Sequence, residues 1–327
     1  MEQTTFKNDG KDILVQAKEI NKTYHVRMGM FKKTPLCAVN NISMDIYRGE
    51  TLGLVGESGC GKSTAGFLLL SLLRLSSGQV FFEGNRIDNL SDTQMKKYRA
   101  KMQLVFQDPY ASLDPRLRVL NAVGEPLEIY KRVRSRNEEK EKVAELLEAV
   151  GLRGDDMEKY PYEFSGGQRQ RICIARALAL EPDFVVADES VSALDVSIQA
   201  QILHLLMDIK AKKKLTYLFI SHDLAVIKYI CDRIVVMYLG KIVEVGRKED
   251  IFNNPMHPYT RALLDSVPSI GKRPGQSVLQ GEVPSALNPP SGCVFHTRCP
   301  HASQQCRQCS PQLHNVNSQQ VACWLYT

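Results

Sequence analysis

Long apolar runs are missing from this sequence. The longest, AGFLLLSLL from Ala65 to Leu73, falls well short of the roughly 20 residues that cross a bilayer, so any work at a membrane requires partner chains to supply the crossing. The amino terminus, MEQTTFKNDGKDILVQ, lacks the basic segment followed by an apolar one that marks a secretory signal, and a cytosolic location is expected. Compositional bias is missing too. Hydrophobic residues make up 43% and charged residues 24% of the 327 positions, ordinary globular values that exclude disordered, collagen-like and coiled-coil chains. Nor is one sign of charge in large excess. The net charge is +6, and the basic runs KRVRSR (Lys131 to Arg136) and KAKKK (Lys210 to Lys214) read as solvated faces, the second closing an apolar-periodic helix whose dipole favours cations at its end. No nucleic-acid partner is expected. The length suits one large domain with a smaller appended module.

What is present begins with TLGLVGESGCGKSTAGFLLLSLL. Thr51 to Val55 reads as a short buried strand, and an apolar-rich stretch of helix length follows Lys62. Between them GESGCGKS (Gly56, Glu57, Ser58, Gly59, Cys60, Gly61, Lys62 and Ser63) fits the phosphate-loop spacing in the strand, loop, helix context that it requires. Its glycines let successive backbone amides point at phosphate oxygens, with a helix dipole behind them. Lys62 would neutralise the β- and γ-phosphates of a nucleotide, and the Ser63 hydroxyl would hold magnesium. DFVVADES is another buried strand, delivering Asp188 and Glu189 at its carboxyl end, where open α/β sheets place their chemistry. Asp188 suits the magnesium shell, and Glu189 could activate an attacking water.

A second anion-binding construction lies in EFSGGQRQRICIARALAL. Ser165 reads as an N-cap, and a helix runs on through Ile172, Ala175 and Leu178. Free amides at such a helix start attract phosphate, but no lysine accompanies them. A complete cradle and an incomplete one in the same chain suggest that the incomplete one closes over a nucleotide held by another subunit.

The set SGGQ (Ser165 to Gln168), GESGCGKST and VVADE resembles the ATP-binding cassette ATPases, the nucleotide-binding subunits of ABC transporters. VFQDP with Gln107, SALD ending at Asp195 and FISHD with His222 continue the resemblance in the family's order, over roughly Asp12 to Ser266. It implies an α/β phosphate-loop fold with a RecA-like core, an antiparallel β subdomain and a helical subdomain. The nucleotide-binding domain would span 1–265, its helical part roughly 110–175. Tyr24 would stack on adenine. Gly56 through Thr64 would bind ATP, and Ser63, Gln107 and Asp188 would bind Mg2+, with Gln107 linking that site to the transport subunits. Ser165, Gly166, Gly167 and Gln168 would meet the γ-phosphate held by the opposite subunit. Asp195 would communicate across the dimer, Glu189 would polarise the hydrolytic water, and His222 would contact the γ-phosphate. Phe164 stands where leucine is usual and Ser190 where proline commonly follows the catalytic glutamate, and neither departure removes a ligand or a base. NEEKEKVAELLEAVGL places Val143, Leu146, Leu147 and Val150 on one helix face before Gly151. RIVVMYLGKIVEVG reads as two strands around Leu239-Gly240.

From Ser266 the composition turns to proline, glycine and serine, an irregular connector leading into a module, 266–327, with five of the nine cysteines. The other four, Cys37, Cys60, Cys173 and Cys231, are scattered and read as ordinary free thiols. In a cytosolic chain stable disulfides are not expected, so the module's residues read as ligands of an iron-sulfur cluster, as ligands of zinc with His296, His301 or His314, or as free thiols. GCVFHTRCPHASQQC together with VACW is similar to the carboxyl-terminal extension of oligopeptide and dipeptide importer ATPases, and HVRMGMFKKTPLCAV to the F-type member of their ATPase pair. That resemblance implies a [4Fe-4S] cluster on Cys293, Cys299, Cys306 and Cys323, with Cys309 extra. It further implies a paralogous ATPase partner forming a heterodimer, two transmembrane permease subunits, an extracytoplasmic binding protein, and a peripheral place on the cytoplasmic side of a bacterial inner membrane. Di- or oligopeptides would be the cargo, with nickel complexes or glutathione as alternatives. A soluble cassette ATPase acting on ribosomes or DNA would carry two cassettes or long inserted coiled coils, and neither is present.

Overall fold

The computed structural model describes residues 12–28, 32–266 and 281–327. The first residues of the chain, part of the HVRMGMFKK stretch and most of the proline-rich connector lie outside the described residues. The chain divides into two compact units, one built from the segments up to Asn89 and from Ile220 onward, the other from Leu90–Phe219.

The first unit opens with β1 (Ile13–Met28), β2 (Lys32–Tyr47), β3 (Thr51–Val55), α1 (Lys62–Leu69), β4 (Ser77–Phe82) and β5 (Asn85–Arg86). β1 and β2 pair antiparallel from Ile13 opposite Tyr47, and β4 pairs antiparallel with the other edge of β1. The resulting sheet has the order β2-β1-β4-β5. β1 buries Val15 and Ala17 two residues apart, as on one face of a half-buried strand, and the adjacent Leu14 as well, where the register with β2 shifts between Ile13 and Val15.

The second unit runs α2 (Asp92–Lys101), β6 (Met102–Val105), α3 (Pro109–Ser112), α4 (Val119–Ile129), α5 (Arg136–Ala149), α6 (Gly166–Leu178), β7 (Phe184–Asp188) and α7 (Val196–Lys213). β6 and β7 are parallel, Met102 opposite Phe184 and Val105 opposite Ala187. α5 starts where the Ser135 hydroxyl accepts the Glu138 N–H and ends before Gly151 at φ 76. Its expected apolar face is there: Val143, Leu147 and the following Val150 are fully buried, Leu146 half so, each buried side chain worth roughly 1.5–3 kcal/mol. The Lys210–Lys214 run closes α7, with Lys214 in the left-handed conformation and three lysines in the last turn, as the helix dipole favours.

β8 (Thr216–Ser221) carries the chain back to the first unit, followed by α8 (Leu224–Ile230), β9 (Arg233–Tyr238), β10 (Lys241–Arg247), α9 (Lys248–Asn253), α10 (Pro258–Asp265), α11 (Gln304–Gln308), β11 (His314–Val316) and β12 (Gln319–Val321). β3 lies parallel to β9, with Leu52 opposite Arg233 and Val55 opposite Val236. β9 turns into β10 across Leu239 and Gly240, both at positive φ, which is the twist a two-residue hairpin needs. β12 then adds antiparallel to the far edge of β10, and β11 to β12. The last residues of the chain thus extend the sheet that carries β3. No helix among the described residues is long and apolar enough to cross a membrane.

α1 is shorter than its apolar sequence suggests. It stops at Leu69 because Ser71 turns left-handed at φ 52. The Ser71 N–H then bonds the Leu68 carbonyl and the Leu72 N–H bonds that of Phe67, a helix-ending pair usually built on glycine.

Candidate nucleotide site and cysteine cavity

β3, buried along its whole length, delivers the loop Gly56 to Gly61 at its carboxyl end, and α1 begins at Lys62. Gly61, at φ 104, lies so close to the Ala38 carbonyl that a side chain there would collide with it, and Gly56 stands likewise against the Met237 carbonyl. The loop's carbonyls face protein donors. Lys62 Nζ donates to Gly56 O at 2.9 Å and Glu57 O at 3.1 Å, and the Gly240 N–H donates to Cys60 O at 2.9 Å. Ser63 and Thr64 stand half-buried in the first turn of α1. Cys60 is buried, and burial pushes its thiol pKa up.

Glu57 is held from three sides. Its N–H donates to the Tyr259 hydroxyl at 2.8 Å, its carbonyl takes Lys62, and its carboxylate receives both terminal nitrogens of Arg298, at 2.8 and 3.0 Å. Sequence reasoning missed Arg298 and Tyr259. An acid inside a phosphate loop signals that a cation must stand beside it, but nothing local says which one. Tyr24 lies on β1 opposite Leu36, half-buried, with the Lys22 ammonium 5.1 Å from its ring centroid. His222 follows β8 and is exposed.

In the second unit Asp188 ends β7 and is 5% exposed. Glu189 follows in the left-handed region, φ 43, a conformation that a residue with a side chain adopts only where its surroundings enforce it. Gln107, just beyond β6, donates from Nε2 to Glu189 Oε2 at 2.9 Å. Ser165 caps α6 as expected, through a reciprocal pair with Gln168: the Ser165 N–H donates to Oε1 at 3.0 Å and the Gln168 N–H to the serine hydroxyl at 3.4 Å. A side chain at Gly167 would strike Ile198, and one at Gly166 would meet Leu194, so the SGGQ segment packs against the end of SALD and the first turn of α7. Asp195 caps α7, accepting the Ile198 N–H at 3.0 Å.

All nine cysteines are free thiols. Cys293, Cys299, Cys306 and Cys323 line one cavity of about 150 Å³ with His257, His296 and Trp324. The Cys293 N–H donates to the Cys306 carbonyl at 2.8 Å. Burial first, then mutual proximity, pushes the thiols of Cys293 and Cys323 up, Cys323 to about 11. Cys309 is exposed. Among the described residues no three His, Cys, Asp or Glu side chains are arranged to hold a metal ion. The four thiols share a cavity without being drawn into a coordination shell.

A phosphate loop opening α1, paired acids ending a parallel strand and a capped diglycine helix start define an ABC-type ATPase. A family model described as ABC transporter matches residues 39–192, and one described as Oligopeptide/dipeptide transporter, C-terminal region, matches residues 243–306. The Bacillus subtilis oligopeptide transport ATP-binding protein AppF is 48% identical over 97% of this chain and 98% of its own length. The Pseudomonas aeruginosa di/tripeptide transport ATP-binding protein DppF is 44% identical over 95% and 97%. The ATP-binding cassette MJ0796, solved as a post-hydrolysis dimer bound to ADP and Pi, superposes with a TM-score of 0.65 at 30% identity, over 72% of this chain and 99% of that one. The chain belongs to the ABC transporter ATPases, in the family of oligopeptide and dipeptide transport ATP-binding proteins.

Proposed function

We propose that the chain is the ATP-hydrolysing subunit of a peptide importer, powering passage of di- or oligopeptides through transmembrane partner subunits. The hydrolytic part is carried by the Gln107–Glu189 hydrogen bond. Two residues from the ends of neighbouring parallel strands meet where open α/β sheets hold their chemistry, and the amide fixes the carboxylate that would orient and polarise a water. The loop Gly56 to Thr64 would cradle the phosphates, Lys62 leaving its carbonyls for them, with His222 at the γ-phosphate and Tyr24 against the adenine. Ser63, Gln107 and Asp188 are oxygen donors suited to a hard cation, and Mg2+ held there would offset the phosphate charge.

Ser165, Gly166, Gly167 and Gln168 form a cradle without a lysine, which supports a role at the γ-phosphate bound by a second, related ATPase subunit, with Asp195 communicating between the two. The names of the relatives, oligopeptide and di/tripeptide transport ATP-binding proteins, support peptides as cargo; the partners of this reading would be two permease subunits and an extracytoplasmic binding protein, and its place the cytoplasmic side of the bacterial membrane. Residues 1–265 would form the nucleotide-binding domain, its helical part roughly 110–175, and 266–327 the extension. The four thiols in one cavity suit the donor set of a [4Fe-4S] cluster, with zinc the alternative. Cys293, Cys299, Cys306 and Cys323 would hold it, releasing protons as they bind, and its metal–thiolate bonds would cross-link the extension.

Glu189→Gln should retain ATP binding and lose turnover by about 10²–10⁴-fold. Steady-state hydrolysis at the wild-type rate would remove Glu189 from its role.

A further inference from the structure

A carboxylate in a phosphate loop is an electrostatic liability. Glu57 lies in the loop that would receive the triphosphate, and a bare negative charge there repels the anion that the loop is built to attract. The structure answers it with one side chain from the cysteine-bearing extension, 241 residues away in sequence. Arg298 places Nη1 2.8 Å from Glu57 Oε2 and Nη2 3.0 Å from Oε1, the parallel two-bond geometry that binds carboxylates most firmly. The pair is sheltered, with 6% of the Arg298 side chain and 23% of that of Glu57 exposed, so salt screens it little.

The guanidinium has little freedom to leave. Nη1 also reaches the Tyr238 hydroxyl at 3.4 Å. Phe295, three residues earlier, is 1% exposed and packs edge-on against Tyr238 and tilted against Tyr259, with centroids 5.2 and 5.4 Å apart. Tyr259 in turn holds the Glu57 N–H, and its helix α10 is anchored where Glu244 accepts the amides of Met256 and His257 at 2.7 and 2.9 Å. Side chain and backbone of Glu57 are therefore fixed by one packed cluster.

We propose that Arg298 is a positioning residue for nucleotide binding: it cancels the Glu57 charge and orients the phosphate loop. This rests on the reading of Gly56 to Thr64 as the ATP cradle. Arg298→Ala exposes the carboxylate to the phosphates, so affinity for a fluorescent ATP analogue and for ADP falls roughly tenfold. KM for ATP rises with it, while kcat at saturating ATP stays within about twofold, because the hydrolytic residues are elsewhere.

The deciding measurement is the double variant on the full-length chain. Glu57→Gln/Arg298→Ala removes the charge that Arg298 cancels, and should recover most of the lost affinity, which a merely structural role for Arg298 would not produce. A double variant as weak as Arg298→Ala, or an Arg298→Ala protein that binds like wild type, overturns the proposal. Should Arg298→Ala fail to fold, Glu57→Gln alone decides: the extra net positive charge beside the loop should tighten ATP binding at low salt, and weaker binding overturns the idea. Wild-type protein that binds no ATP would end the cradle reading and the Arg298 role together, whereas wild-type binding with unaltered variants would end the Arg298 role alone.

Discussion

His257 shows how burial writes a pH dependence into a single residue. Its ring is 1% exposed, Nδ1 accepts the Tyr259 N–H at 3.1 Å, and desolvation holds its pKa down to about 3. Above pH 6.5 the imidazole is neutral in the folded and the unfolded chain alike. Below that the unfolded chain takes up a proton that the folded ring refuses, so stability falls as pH drops from about 6.5 toward 3, by about 1.4 kcal/mol per unit and about 2 kcal/mol at pH 5. Burial pushes the neighbouring Glu244 carboxylate up, which works in the opposite direction wherever that group titrates. His257→Asn keeps a side-chain acceptor for the Tyr259 amide and removes the titration. Its melting temperature should therefore change less between pH 7.5 and 5.5 than that of wild type, and an unchanged slope would clear His257 of the effect.

At the scale of elements, α5 offers the cleanest test of a local rule, because its cap lies outside the proposed site. Ser135→Ala removes the hydroxyl that accepts the Glu138 amide and should cost about 1 kcal/mol. Denaturant unfolding should show that loss with ATP hydrolysis unaltered. The elements legible in the sequence were those with local punctuation: a capping serine before α6, a glycine after α5, a Leu-Gly turn between β9 and β10. The end of α1 was not legible, because Ser71, rather than a glycine or proline, ends it while leucines continue on both sides. The Gln107–Glu189 contact was within reach only through the resemblance to a family. The Arg298–Glu57 and Tyr259–Glu57 contacts were out of reach, since a pairing across more than 200 residues leaves no periodic trace in either segment.

For the whole molecule, the extension and the first unit are one construction. β12 pairs with β10, and Phe295 and Arg298 come from the same stretch as the cysteines. Occupancy of the cysteine cavity is the open chemical quantity. Protein purified without oxygen should carry about four iron and four sulfide per chain. One zinc per chain would replace the cluster by a structural metal, and neither would leave four free thiols around the cavity.

The order of the chain also imposes a schedule on synthesis. Everything that the second unit packs internally lies between Leu90 and Phe219, so it is complete while the ribosome is still translating its neighbour. The first unit has its opening strands early, but β3 must wait for β9 and β10 must wait for β12, whose last paired residue is Val321. The hydrophobic edge of β3 is therefore a nascent-chain liability until β9 has been made, and the edge of β10 until β12 follows it.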